Sequence, residues 1–135
     1  MRCARYILPV FFLFFQCGTA SAGAWTDAAS DIEKALLSAI NIYKSGDPEK
    51  AMEEVADAYF AIFEKEDANM EIAVRQSLSL KRATALERAF IDIRKMMHGK
   101  APLKEVREKT LDLTGEIKRV ADELDRKGVD TGHRR

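Results

Sequence analysis

The sequence predicts an all-α protein, specifically an antiparallel up-down-up-down four-helix bundle. Apolar residues recur at three- and four-residue steps in four successive segments, which is the period of amphipathic helices. Only a few turn residues separate these segments, and short connections join helices that run in opposite directions. No segment shows the strict alternation of apolar and polar residues that is typical of a half-buried strand. The chain of 135 residues has room for a single compact domain.

The composition excludes several classes of protein. Apolar residues make up 47% of the chain and charged residues 33%, which is typical of a folded helical protein. The 22 basic and 22 acidic residues balance, so we expect no basic surface for nucleic acid. The two cysteines, Cys3 and Cys17, both precede the predicted domain. Disulfides, thiolate zinc sites and thiol catalysis are therefore excluded for that domain.

Residues 1–22 have the order of a secretory signal peptide. Two arginines come first, an apolar run covers residues 6–15, and small residues follow up to Ala24. The small residues allow cleavage after Ala22 or after Ala24. The apolar run is shorter than the roughly 20 residues that span a bilayer. We therefore predict export to a bacterial periplasm, either free or associated with the cytoplasmic membrane; an uncleaved anchor and a lipid-modified Cys17 are the alternatives.

The predicted domain, residues 23–128, opens with two helices joined by a tight turn. Thr26 or Asp27 is expected to cap the first helix. Ser45-Gly46 ends it, because glycine suits the left-handed residue after a helix. Asp47-Pro48-Glu49 begins the second helix with a cap, a first-turn proline and an acid. The apolar residues expected to face the core are Ile32, Leu36, Ala39, Ile40 and Tyr43, then Met52, Val55, Tyr59, Ile62 and Phe63.

The third predicted helix is the longest without an internal glycine or proline. It begins at Asn69 or Met70 and runs unbroken to Met97 or His98, where Gly99 ends it. Leucines on either side of its apolar line predict contacts with neighbours over a wide arc. Its expected core residues are Ile72, Gln76, Ala83, Leu86, Phe90, Ile93 and Met97.

The fourth predicted helix has the most regular pattern. Pro102 opens it and Gly128 closes it, so that residues 129–135 are expected to form a disordered tail. Its apolar positions alternate three and four residues apart, which is the 3.5-residue period of bundle packing. These positions are Leu103, Val106, Thr110, Leu113, Ile117, Val120 and Leu124.

The second and third helices carry a set of aromatic and acidic residues that resembles a known domain. The set reads Ala58-Tyr59-Phe60-x-x-Phe63-Glu64, then Met70-Glu71, then Leu86-Glu87-x-x-Phe90 followed by Ile93-Arg94. It resembles the extracytoplasmic N-terminal helical domain of the bacterial high-affinity iron permease family. The likeness covers the chain from Trp25 to Lys127. It implies a role in iron uptake, with this domain facing the periplasm.

The chain departs from that family in three respects. No transmembrane helix follows the leader. The membrane motif of the family, Arg-Glu-x-x-Glu, is absent, and the nearest string is Lys104-Glu105-Val-Arg-Glu108 on a predicted amphipathic helix. The turn between Glu64 and Met70 is longer and more charged than the glycine-containing turn of the family. Because of these departures, the resemblance does not imply transport by this chain itself.

Three glutamates, Glu64, Glu71 and Glu87, are the candidate metal ligands. The first two flank the turn between the second and third helices, and Glu87 lies at the edge of the core line. Oxygen-rich clusters suit hard cations such as ferric iron, so iron is the expected metal. For Glu87 an ion pair with Arg75 or Arg82 is the alternative, because burying an unpaired carboxylate is costly.

Other metal and catalytic classes lack their motifs. The Glu-x-x-His motifs of ferritin-like di-iron bundles are absent. No Cys-x-x-Cys-His occurs, and Met96, Met97 and His98 are too close in sequence to ligate opposite faces of a haem, so no haem is expected. No nucleophile–base pairing, glycine-rich phosphate loop or His-Glu-x-x-His string occurs either. The protein is therefore not expected to be an enzyme.

These observations predict a periplasmic helical domain of the iron-permease type that is accessory to iron uptake. It would bind or deliver iron, or dock to a membrane iron permease or a periplasmic redox partner. The alternative is a structural or adaptor bundle that binds a protein partner and no metal. A haem or di-metal bundle enzyme is a third hypothesis.

Overall fold

The computed structural model describes residues 23–131, and every regular element among them is a helix. The α-helices are α1 (Ala24–Lys44), α2 (Pro48–Asp57), α3 (Met70–Ser77), α4 (Leu80–His98) and α5 (Leu103–Arg126). A π-helical segment, Ala58–Phe63, continues α2 without a break. The all-α class is therefore confirmed. The predicted leader, residues 1–22, and the end of the predicted tail, residues 132–135, lie outside the described residues.

Four of the helices form a closed ring of neighbours. Helix α1 packs against α2 and α5, and α4 also packs against α2 and α5. Helix α3 packs on α4 and α5, whereas the π-helical segment packs on α1 and α2. One hydrophobic core fills the space between them. The largest of its fully buried side chains are Trp25, Phe63, Phe90, Ile32, Leu36 and Met70. In residues 23–131 no helix combines the length and the apolar character needed to cross a bilayer.

Helix α1 begins at Ala24, and the cap of its first turn comes from the far end of the chain. Asp125, near the end of α5, accepts hydrogen bonds from the backbone N–H groups of Trp25 at 3.2 Å and Thr26 at 2.9 Å. Its Oδ2 also accepts the Thr26 hydroxyl at 2.7 Å. A carboxylate at this position satisfies free N–H groups and complements the helix dipole. The expected cap residues, Thr26 and Asp27, lie inside the helix instead.

The segment after α5 is attached to the start of α1. Trp25 is 1% exposed, and its indole Nε1 donates a hydrogen bond to the carbonyl oxygen of Val129 at 2.7 Å. The N–H of Val129 in turn donates to the carbonyl oxygen of Leu124 at 3.0 Å. Val129, the first residue of the predicted tail, is therefore held against the helices.

The prediction of one unbroken third helix is wrong, because the chain forms α3 and α4 with a break at Leu78-Ser79. The N–H groups of both break residues donate to the carbonyl oxygen of Val74. Ser79 then turns to an extended conformation, and its Oγ accepts the backbone N–H of Arg82 at 3.1 Å. A serine side chain competes with the backbone for such N–H groups, so it favours a helix start over a helix interior.

The break also changes which face of α3 is buried. Ile72 is 44% exposed and Gln76 is exposed, so both are wrong as core predictions. The core is reached instead by Met70, Ala73 and Val74. In α4 the predicted core residues Ala83, Leu86, Phe90, Ile93 and Met97 are all buried. In α5 the predicted positions are buried except Leu103, which is half-buried.

The π-helical segment places its three aromatic rings in different surroundings. Its wider turn is closed by the N–H of Glu64, which donates to the carbonyl oxygen of Tyr59 five residues earlier at 2.8 Å. Phe63 is fully buried, Tyr59 is half-buried, and Phe60 is 61% exposed. Short π-helices are rare and occur frequently at functional sites. This segment forms one wall of the candidate site.

Candidate functional site

The three predicted ligands lie on the π-helical segment's C-terminal end, on α3 and on α4, and the bend formed by these elements is called the elbow. Glu64 follows the π-helical segment, Glu71 lies in the first turn of α3, and Glu87 lies in α4. The hydroxyl of Tyr59 is within the electrostatic influence of all three carboxylates. The structure therefore brings the three glutamates to one region of the molecule.

Arg75 connects Glu71 with Glu87. Glu71 is buried at 6% exposure, and its Oε1 accepts Nε of Arg75 at 2.7 Å and also Nη2. The same Nη2 donates to Oε1 of Glu87 at 2.9 Å. Residues four apart on a helix are neighbours, which explains the bond to Glu71. The bond to Glu87, twelve residues away, requires the break between α3 and α4.

Glu64 is held by a different partner. The Tyr59 hydroxyl donates to its Oε1 at 2.5 Å, and the Asn69 side chain donates to its backbone carbonyl oxygen at 3.3 Å. Burial raises the pKa of the Tyr59 hydroxyl above its ordinary value, and the hydrogen bond and charge of Glu64 raise it further. Tyr59 is therefore a protonated donor at neutral pH.

Glu87 holds its proton more tightly than an ordinary glutamate. Burial raises the pKa of its carboxyl group, and so do the hydrogen bond and the charge of the neighbouring Glu71. The positive charge of Arg75 acts in the opposite direction without cancelling these effects. Two carboxylates thus share one guanidinium, and burial together with the second carboxylate favours the protonated form of Glu87.

Glu64, Glu71 and Glu87 do not form a metal-binding group in the described part of the chain. Within residues 23–131, no group of three or more His, Cys, Asp and Glu side chains is arranged to hold a metal ion. Arg75 bonds to both Glu71 and Glu87, while Glu64 is bonded to Tyr59. A cation would have to replace Arg75, whose side chain is 46% exposed.

Arg82, the other expected partner of Glu87, is bonded elsewhere. Its Nη1 donates to Glu123 at 2.6 Å and its Nη2 to Glu116 at 3.3 Å, so it ties α4 to α5. The hydrogen bond from Arg82 lowers the pKa of Glu123. Of the two arginines proposed for Glu87, the observed ion pair is thus with Arg75.

The sequence pattern did not predict that the Tyr59 hydroxyl bonds to Glu64. Tyr59 was assigned to the core by its helical spacing, and its ring does contact Phe63 and Phe90 at centroid distances of 5.7 and 5.3 Å. Its hydroxyl nevertheless reaches Glu64. The sequence signal for this bond is the five-residue spacing between the two, which matches one turn of a π-helix rather than of an α-helix.

Comparison of the chain with protein-family models gives no match, and neither do comparisons with curated proteins and with solved structures. The resemblance to the iron permease family therefore rests on the aromatic and acidic residues quoted above.

Proposed function

We propose that this protein is a non-enzymatic extracytoplasmic helical domain that is accessory to iron uptake. It binds or delivers iron as its cargo, or docks to a membrane iron permease or a periplasmic redox partner. One observation carries the proposal: Oε1 of Glu71 and Oε1 of Glu87, on different helices, both bond to Nη2 of Arg75. Two carboxylates from separate elements therefore already converge on one positive charge.

The binding step that we propose is an exchange of cations. Carboxylate oxygens are hard donors of the kind that ferric iron prefers. An incoming cation displaces the guanidinium of Arg75, which swings to solvent, and takes its place between Glu71 and Glu87. In this proposal Glu64, whose carboxylate accepts the Tyr59 hydroxyl, supplies further oxygen atoms. The raised pKa of Glu87, caused by burial and by the neighbouring Glu71, supports the exchange, because Arg75 does not offset these two effects.

The scaffold in this proposal is the predicted up-down-up-down bundle of α1, α2, α4 and α5. Its support is that the start of α1 bonds to the end of α5 through Asp125, while Tyr43, near the end of α1, donates to the carbonyl oxygen of Ala101 before α5 at 2.7 Å. These two contacts are expected when the first and last helices run in opposite directions.

Titration calorimetry with ferric citrate and with ferrous, cupric and manganous ions tests the metal proposal. Arg75→Ala is expected to bind more tightly than the wild type, because it removes the competing cation. Glu71→Gln combined with Glu87→Gln is expected to abolish binding, and Glu53→Gln combined with Glu105→Gln is the matched control. If Arg75→Ala gains nothing and all variants bind equally weakly, the cluster is a structural ion-pair network.

The second candidate function is that of an adaptor that binds a protein and no metal. Arg75 satisfies Glu71 and Glu87, and this favours a structural role for the cluster. Recovery of the same partner from a periplasmic extract with and without a chelator would support the adaptor. Recovery that depends on iron would support the first proposal.

A further inference from the structure

A surface groove runs between the α2 side and the α4 side of the molecule. At one end lies a cavity of about 160 Å³, lined by Ala56, Tyr59, Phe60, Phe90, Ile91 and Arg94. It adjoins a larger depression of about 500 Å³, lined by Met52, Ile91, Arg94, Lys95, His98 and Gly99. Ile91 and Arg94 line both, so the two form one continuous groove.

The floor of this groove is apolar and accessible. Phe60 is 61% exposed and Ile91 is 48% exposed, although both are large hydrophobic residues. The Phe60 ring packs edge-to-face on the Tyr59 ring with centroids 4.9 Å apart, so its position is fixed by a neighbour. A single exposed apolar residue is ordinary, but two that share one concave surface are typical of a binding site.

All charged residues that line the groove are basic. They are Arg94 and Lys95, with His98 at the far end. Within residues 23–131, neither Arg94 nor Lys95 has a hydrogen bond or an ion pair with a carboxylate. Arg75 and Arg82, in contrast, each bond to two carboxylates. The positive charge along the groove is therefore uncompensated by the protein itself.

We propose that this groove binds an acidic amphipathic segment of another protein. The segment inserts an apolar side chain beside Phe60 and Ile91, and its acidic residues pair with Arg94 and Lys95. A groove lined by apolar residues and flanked by charge is the surface on which amphipathic helices dock. The concave shape favours a peptide over a membrane surface, because the 160 Å³ cavity accommodates a side chain rather than a flat layer of headgroups.

This inference is independent of iron binding. Glu71 and Glu87 are absent from the lining of the groove, and only Tyr59 belongs to both places. Glu71→Gln combined with Glu87→Gln therefore leaves peptide binding unchanged. The experiment is performed in the presence of a chelator, so that failure of either proposal is seen separately.

Fluorescence anisotropy with a labelled model peptide tests the groove. The probe is an amphipathic peptide of about five helical turns, with leucine and phenylalanine on one face and glutamate beside them. Phe60→Ala and Arg94→Glu are each expected to weaken binding by about tenfold or more, since buried aromatic and arginine contacts dominate interfaces. Leu111→Ala, at a similarly exposed leucine of α5, and Arg107→Glu are the matched controls.

Several results would overturn the proposal. If a peptide with lysine in place of glutamate binds equally well, charge plays no part in binding and the proposal is wrong. Loss of binding to phosphatidylglycerol vesicles in Phe60→Ala and Arg94→Glu, without peptide binding by the wild type, would assign the groove to a membrane surface. Self-association of the wild type that both variants abolish would assign it to a second copy. Circular dichroism confirms that each variant is folded.

Discussion

Glu71 in α3 and Glu87 in α4 bond through their Oε1 atoms to the same nitrogen of Arg75. A guanidinium has five N–H donors but only one positive charge, so it satisfies the hydrogen bonds of two carboxylates without neutralising both. Burial raises the pKa of the Glu87 carboxyl group, and the hydrogen bond and charge of Glu71 raise it further. This arrangement connects α3 and α4 across the break between them and leaves two carboxyl groups with a single positive charge.

The first prediction concerns the pH dependence of stability. Because the folded protein holds the Glu87 proton more tightly than the unfolded chain does, this proton stabilises the fold fully below the ordinary pKa, and the contribution is lost as pH rises through the raised pKa. Glu87→Gln is expected to remove this component, so that its stability changes less between pH 7 and pH 5. Urea denaturation at the two pH values measures this. A pH dependence equal to that of the wild type, or of the control Glu53→Gln, contradicts the prediction.

The second prediction concerns an ion pair whose stabilising contribution is lost as pH falls, the opposite of the Glu87 effect. Arg82 lowers the pKa of Glu123, so this pair stabilises the fold above the ordinary glutamate pKa, and its contribution is lost as pH falls through the lowered value. Arg82→Met is expected to be less stable than the wild type at pH 7, with a difference that shrinks in acid. Thermal denaturation across this range measures it, with Arg88→Met as control. A difference that stays constant with pH would indicate lost packing instead of lost charge pairing.

The third prediction tests the break between α3 and α4. Ser79 caps α4, and its replacement by alanine leaves the Arg82 N–H without that acceptor. Ser79→Ala is expected to lower the free energy of unfolding by about 1 kcal/mol. Chemical denaturation measures this against Ser77→Ala, two residues earlier at the end of α3. A Ser79→Ala protein as stable as that control would show that the break does not depend on the cap.

The fourth prediction compares two phenylalanines on the same groove. Phe90 is 1% exposed and contacts Phe63 at a centroid distance of 5.4 Å, whereas Phe60 is 61% exposed. Phe90→Ala is expected to cost about 3–5 kcal/mol, because it leaves a cavity in the core. Phe60→Ala is expected to cost far less, since most of its ring already contacts solvent. Similar losses in urea denaturation would contradict the difference in burial.

The apolar period predicted the helices well where one face is buried along the whole element. Helices α4 and α5 follow their predicted core lines because each packs against three neighbouring helices. The pattern failed in α3, where Ile72 and Gln76 were placed on the same line as Ala83. The seven-residue spacing between Gln76 and Ala83 is also that of two turns of a continuous helix, so it does not reveal the break at Ser79. A serine inside a helix is only mildly unfavourable, so sequence alone does not decide between cap and interior.

The site was predictable only where it depends on local spacing. Glu64 and Glu71 flank a turn, so their placement at the same end of the second and third predicted helices follows from chain connectivity. The ion pair of Arg75 with Glu87 was one of two alternatives, and the choice between Arg75 and Arg82 depends on the position of α5. The cap supplied by Asp125 joins residues about a hundred positions apart and has no local signal.

The contacts of Asp125 with Thr26 and of Val129 with Trp25 bring both ends of the helical unit to one side. Because its two ends lie close together, the helical unit is suited to insertion into a surface loop of another protein. The same proximity allows a circular permutant in which a short linker joins the two ends and a new opening lies at the exposed Gly46 turn. In that permutant every helix stays intact. The linker connects α5 to α1, whereas α1 and α2 are no longer connected through the chain at Gly46.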